Sequence, residues 1–270
     1  MTGSASALPP VNLTRLAPPT GARVLAIGGC GGIGRRLITA GLALGLRPAV
    51  VDIDPAIAAH PPPDGVPAIP LGDSGIDGMT TAVTRAVDQL GGLDHLVYLT
   101  GYSPPPTPVE AITASEWDML MTVNLRGAMM ATGAALPALR AAAGSVILIA
   151  SGLAINVSPG TAAYSATKAG LIALGKGLAR ENAPTVRANC VAPGAVDTAF
   201  LSGGTANGAD EGRTGWFFTS GVHEEVLRTT PMGRIATADD VVGPILFLMS
   251  DAARFITGQT VHVNGGRLMV

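Results

Sequence analysis

From Arg23 onward, short apolar runs take turns with longer stretches in which apolar residues return every three or four positions. The runs "RVLAIG", "PAVVDID", "PAIPL", "LDHLVYL", "SVILIAS", "VRANCVA" and "QTVHVNGG" are apolar nearly throughout instead of alternating. That pattern predicts strands of a parallel sheet buried on both faces. The intervening "IGRRLITAGLALG", "GMTTAVTRAVDQLGG", residues 115–139, "TAAYSATKAGLIALGKGLAREN" and residues 237–250 have helical periodicity. Ser115 is the expected N-cap of the 115–139 helix, Pro137 falls near its end, and Thr237 with two aspartates opens the last helix. The connection after "VVDID" is too short for a full helix and its turns. The alternation predicts an α/β fold: a doubly wound parallel sheet of about seven strands, helices on both faces, with right-handed connections. Residues 1–20 read as a flexible, Pro-rich arm and 21–270 as a single domain. Within it, 194–228 reads as a substrate loop or lid, because 194–221 is long and irregular.

Composition narrows the class. Nearly half the residues are hydrophobic, 36 are glycine, and aromatics make up only 4%, which suits helices packed closely on a sheet. The net charge of −2 and the absence of a basic run speak against nucleic acid or an anionic membrane as partner. No apolar stretch reaches the roughly 18–20 residues of a membrane span. The first residues lack the charged start and apolar core of a signal peptide, so a cytoplasmic location is expected. Cys30 and Cys190 make no disulfide framework, and His60, His95, His223 and His262 have no ligand spacing, so no metal is expected.

Candidate chemistry begins at "GGCGGIG", which follows a strand and opens a helix. Gly28, Gly32 and Gly34, with Cys30 and Ile33 between them, have the spacing GxxxGxG. Glycines there permit a sharp turn and close approach of backbone to a pyrophosphate, whose charge the helix start favours. The alternative is a plain tight turn. Asp52 ends the second strand, 18 residues past Gly34. An acid there can accept both ribose hydroxyls of an adenosine and repels a 2′-phosphate, favouring NAD over NADP, although Arg35 and Arg36 stand near. Tyr164 and Lys168 lie four residues apart, on one face if "YSATK" is helical. The chain has three tyrosines and two lysines in all.

Taken together, "GGCGGIG", Asp52, "VNLRG", Ser151, "YSATK", "NCVAPGAVDT" and the stretch "PMGRIATADDVVGPILFLMSDAARFITGQTVHVNGG" occur in the order and at the spacings of one family. Over residues 21–270 the chain resembles the short-chain dehydrogenases/reductases. The resemblance implies a Rossmann-type sheet and hydride transfer between NAD(H) and a secondary alcohol or ketone. It implies Tyr164 as acid/base, with Lys168 lowering its pKa and holding the nicotinamide ribose, and Ser151 bonding the substrate oxygen. Asn124 would hold a water linking Lys168 to solvent. Pro193 and Gly194 would turn the chain under the nicotinamide, with Val196 and Thr198 meeting its carboxamide and phosphates. Three positions depart from the family. Ile27 stands where Thr is usual. Tyr98-Leu99-Thr100-Gly101 stands for Asn-Asn-Ala-Gly, keeping only Gly101. Asp73 meets the adenine-contacting position only with a one-residue shift. The alternative reading is a dinucleotide-binding sensor or scaffold without turnover. A sugar-nucleotide epimerase or dehydratase of the extended branch is disfavoured by the length, which leaves no room for a separate C-terminal substrate domain.

Around the reacting groups, Tyr102, Phe200, Trp216, Phe217 and His223 are the expected substrate-pocket residues, with Arg213 as the clearest charge. Three of the five phenylalanines fall in this segment, which fits an apolar or aromatic substrate. Alternatively these rings pack the lid against the body. The resemblance also implies a homotetramer. Met119, Met121, Met129 and Met130 of the 115–139 helix suit its interface, as does the apolar "GRLMV".

Overall fold

Residues 13–72, 75–204 and 215–269 are described by the structure, a computed structural model. Its seven strands are β1 (Arg23–Ile27), β2 (Arg47–Asp52), β3 (Ala68–Pro70), β4 (His95–Tyr98), β5 (Ser145–Ile149), β6 (Arg187–Pro193) and β7 (Thr260–Val263). They form one sheet in the order β3-β2-β1-β4-β5-β6-β7, and every pairing is parallel. Each run of apolar residues divides its side chains between two layers, because successive strand residues point to opposite faces. Leu25, Ile27, Leu96, Tyr98, Val146 and Leu148 join one core. Val24, Val97, Ile147, Ile149 and Val191 join the other. Each buried Leu or Ile contributes about 1.5–3 kcal/mol to folding.

The helices are α1 (Gly32–Ala43), α2 (Asp54–Ala59), α3 (Met79–Leu90), α4 (Ala114–Met121), α5 (Gly127–Ala142), α6 (Ala162–Asn182), α7 (Trp216–Thr219), α8 (Val222–Thr229) and α9 (Ala238–Met249). Helices α3, α5 and α6 cover the first core, while α1 and α9 pair over the second. The short connection after β2 holds a helix of only six residues. The strand order reverses between β1 and β4, which opens a crevice at the carboxyl ends of the strands.

Two expectations for the 115–139 helix are corrected. Thr113, not Ser115, is the N-cap, because a capping box with Glu116 satisfies two free N–H groups. The helix is also two helices, α4 and α5, separated by a π-helical turn over Thr122–Arg126. The 1–20 arm is corrected in part. Leu13–Leu16 forms a 3₁₀ turn, Arg15 lies 3.7 Å from Asp251, and the Gly21 N–H donates to the Gly45 carbonyl at 2.8 Å. Among the described residues, no helix is long and apolar enough to cross a membrane, and no three His, Cys, Asp or Glu could hold a metal ion.

Candidate active site

The glycine turn leaves β1 at Gly28, whose φ of +80° lies in the left-handed region that favours glycine. Gly32 starts α1 so close to Thr198 that a Cβ there would lie 2.5 Å from the Thr198 methyl carbon. A cavity of about 640 Å³ opens here, its walls including Gly29, Gly32, Arg35, His60 and Thr198. The space, the glycine backbone and the helix start fit a dinucleotide. Ile33 and Gly34 continue into α1, where Ile33 packs on the second core. Cys30 is a correction. Its thiol is buried and its N–H donates to Asp52 Oδ2 at 2.9 Å, so it braces the loop and has no donor left for a phosphate. Burial pushes the thiol up to about 12. Asp52 Oδ1 accepts from the Ile53 N–H at 2.9 Å. Burial raises the Asp52 carboxyl, while the Cys30 and Ile53 N–H groups pull it back. Asp73 and Arg213 lie outside the described residues.

The tyrosine and lysine come from the first two turns of α6, which packs on β6 and the end of β5. Ser151, just past β5, caps a short 3₁₀ turn, its hydroxyl accepting from the Leu153 N–H at 3.2 Å, and stands near Tyr164. Tyr164 is 8% exposed and Lys168 3%. The Lys168 ammonium lies 5.8 Å from the centre of the Tyr164 ring and donates to the Ile149 carbonyl at 2.9 Å. A Cβ on Gly101 would sit 3.4 Å from Lys168 Nζ and 3.8 Å from Asn124 Oδ1, so all three converge on one point. Burial holds Lys168 down to about 8, with Cys190 opposing. It pushes Tyr164 up to about 12, with the nearby Ser151 hydroxyl opposing. The sequence-based expectation of a lowered phenol pKa is therefore not met in the free chain, where desolvation outweighs the stabilisation of phenolate.

Asn124 is fully buried in the π-helical turn. Its Oδ1 accepts from the Tyr102 N–H at 2.7 Å, and its two amide hydrogens go to the Tyr102 carbonyl (2.9 Å) and Thr167 Oγ1 (3.0 Å). This side chain is committed to the protein, and only one Oδ1 lone pair remains for a water. Pro193 ends β6, the Gly194 N–H donates to the Val263 carbonyl at 2.9 Å, and Val196 is buried beside Ala236. Thr198 packs against Gly32 on the cavity wall.

Beside Tyr164 lies a second space of about 50 Å³ whose walls include Ile112, Leu120, Leu153, Ala163 and Trp216. Tyr102 packs with Tyr164 and Leu120, and Phe200 holds its ring 6.4 Å from that of Tyr164. Phe217 and His223, expected on this wall, are corrected. Phe217 is buried with Val226 and Ile235, and its ring centre lies 5.1 Å from Phe218 and 5.8 Å from His223. Phe217 and Phe218 meet edge to face with His223 beside both, so these rings fill a small core of their own instead of the cavity wall. Ile112, Leu120, Leu153 and His60 were missed, because nothing in their local sequence marks them apart from ordinary core, helix or turn residues, whereas Arg35, expected near the ribose, does line the larger cavity.

The family model described as enoyl-(acyl carrier protein) reductase matches residues 31–267. The 3-oxoacyl-(acyl-carrier-protein) reductase FabG of Staphylococcus aureus is 35% identical over 195 residues, covering 72% of this chain and 73% of that protein. The chain belongs to the short-chain dehydrogenase/reductase family. Among solved structures, a short-chain dehydrogenase/reductase of the glucose/ribitol dehydrogenase type from Brucella melitensis superposes with a TM-score of 0.80 at 28% identity, covering 94% of this chain and 99% of that one. A 3-ketoacyl-(acyl-carrier-protein) reductase from the same organism, complexed with NADH, gives 0.79 at 25% identity, covering 93% and 99%. Members of this dehydrogenase/reductase family bind a nicotinamide dinucleotide and act on small molecules.

Proposed function

We propose that the protein interconverts a secondary alcohol and a ketone with NAD(H), using Tyr164 as acid/base. The observation that carries this reading is the placement of the buried Lys168 ammonium beside the buried Tyr164 ring, next to a mainly apolar space. A bound nicotinamide dinucleotide supplies or accepts the hydride at the substrate carbon. For reduction, the Tyr164 hydroxyl gives its proton to the carbonyl oxygen as the new C–H bond forms. Ser151 donates to the same oxygen and fixes its place. The Lys168 ammonium stabilises the phenolate left behind and can return a proton to it. Ile112, Leu120, Leu153 and Trp216 exclude water and favour an apolar group on the substrate. The 3-oxoacyl reductase named among the relatives supports a ketone carbonyl as the reacting group.

Asp52 favours NAD. Its oxygens accept the Cys30 and Ile53 N–H groups and lie beside the Cys30 thiol, and the carboxylate has acceptor capacity left for a ribose hydroxyl. A 2′-phosphate would meet its charge, although Arg35 on the cavity wall moderates the preference. The reading includes a homotetramer, which exposed Trp117, Met119 and Met129 support. Met130 instead packs on the first core. A monomer by light scattering overturns the tetramer. The function is tested by following the nicotinamide absorbance with NADH and ethyl acetoacetate, then with NAD and a panel of secondary alcohols. Tight NADH binding with no turnover of any of them overturns it.

A further inference from the structure

The departure from the family at residues 98–101 carries an inference that rests on the reading above. Tyr98 ends β4, is fully buried, and turns its ring toward α5. Its hydroxyl donates to the Val123 carbonyl at 2.6 Å. Val123 belongs to the π-helical turn and directly precedes Asn124. In this turn the ladder reaches five residues ahead, as in the bond from the Gly127 N–H to the Thr122 carbonyl, and Tyr98 adds a side-chain donor to the next carbonyl. The side chain of Thr100 lies near the same hydroxyl. Thr100 in turn packs on the glycine loop, where a Cβ at Gly28 would lie 2.8 Å from its N and Oγ1 atoms. On the far side, a Cβ at Gly127 would collide with the Tyr98 hydroxyl, so the glycine that opens α5 is what lets the phenol in.

We infer that Tyr98 is a positioning residue: its hydroxyl, bonded to the Val123 carbonyl, holds the π-helical turn where the Asn124 amide can join Tyr102 to Thr167. The asparagines usual in this family at positions 98 and 99 are absent, and a tyrosine reaching from the sheet to the turn stands in their place. Thr167 precedes Lys168 on α6, and Tyr102 packs on Tyr164. Loosening the turn therefore releases two contacts next to the reacting pair without removing any group that touches substrate.

Tyr98→Phe removes the hydroxyl and keeps the buried ring. Hydrogen–deuterium exchange on the free chain reads the turn directly. Amides over 122–128 should exchange at least about tenfold faster, while those of β5 and β6 stay unchanged. With NADH and ethyl acetoacetate, kcat should fall about tenfold and KM move less than about twofold. The solvent deuterium isotope effect on kcat should rise, because proton movement is what the turn positions. Asn124→Ala should also lower kcat, and the double variant should be no slower than Asn124→Ala alone, since both changes act through one group. Unchanged exchange over 122–128, or losses that multiply in the double variant, overturn the inference. If Asn124→Ala leaves kcat intact, the route from Tyr98 to the chemistry is wrong. If the wild type reduces no ketone, the proposed function fails, and the exchange measurement alone decides whether Tyr98 holds the turn.

Discussion

Around Tyr164 and Lys168 the polar groups are buried, and their partners come from distant parts of the chain. Lys168 bonds to β5, Asn124 to the chain after β4 and to α6, and Tyr98 to the turn before α5. Residues 215–229 hold together differently. Trp216, Phe217, Phe218 and His223 touch ring to ring, and Phe217 anchors a small core of its own with Val226 and Ile235. The first region is fixed by directional bonds between regular elements, each costly to break because the freed partner stays buried. The second is a satellite cluster that can shift without disturbing the sheet. Changes in the first region should therefore alter chemistry, and changes in the second should alter recognition.

The largest break should come from Tyr164→Phe. Turnover should fall by roughly two to four orders of magnitude with NADH affinity nearly unchanged, since only the proton donor is lost. Steady-state kinetics and calorimetry check this, and a variant keeping more than about a tenth of the activity would refute the acid/base assignment. Lys168→Ala should lose most turnover as well and also weaken NADH binding.

The pH profile sharpens the point. Lys168 is held down to about 8 and Tyr164 pushed up to about 12. The pair therefore gives up its first proton near pH 8, whichever atom releases it. Alcohol oxidation needs that deprotonated pair, so its rate should rise with pH around 8. In Lys168→Met the surviving group is the raised phenol, and the rising limb should move toward 12. An unmoved limb assigns it to another group.

Cofactor choice should respond less. Wild type should prefer NAD over NADP by about tenfold, which is about 1.4 kcal/mol. Asp52→Ala should shrink that gap by removing the charge while leaving Arg35. It should also loosen the glycine turn, because the Cys30 N–H loses its acceptor. Equal use of both dinucleotides by the wild type would defeat the assignment.

The smallest effect on rate should come from Phe217→Ala. The cluster over 215–229 should lose protection from hydrogen exchange, and KM for ethyl acetoacetate should rise a few-fold. Turnover at saturation should stay within about twofold. A large fall in kcat with KM unchanged would erase the distinction between the two regions.

Much of this molecule was legible in one dimension. Strands buried on both faces must be apolar throughout, so "SVILIAS" and "VRANCVA" announce a covered parallel sheet. A helix places residues four apart on one face, so "YSATK" already joins Tyr164 to Lys168. The turn after β1 needs glycine at Gly28 and Gly32, and its spacing is local. These are short-range constraints, and the sequence alone determines them. The tertiary structure decided what depends on groups far apart in the chain. Burial, which no spacing encodes, sets Tyr164 high and Lys168 low. The direction of the Cys30 N–H follows from the place of Asp52 at the end of the neighbouring strand. Whether Phe217 lines the cavity or a core of its own depends on where Val226 and Ile235 come to rest. The hydroxyl of Tyr98 meets the Val123 carbonyl only because β4 and the start of α5 pack with Gly127 between them.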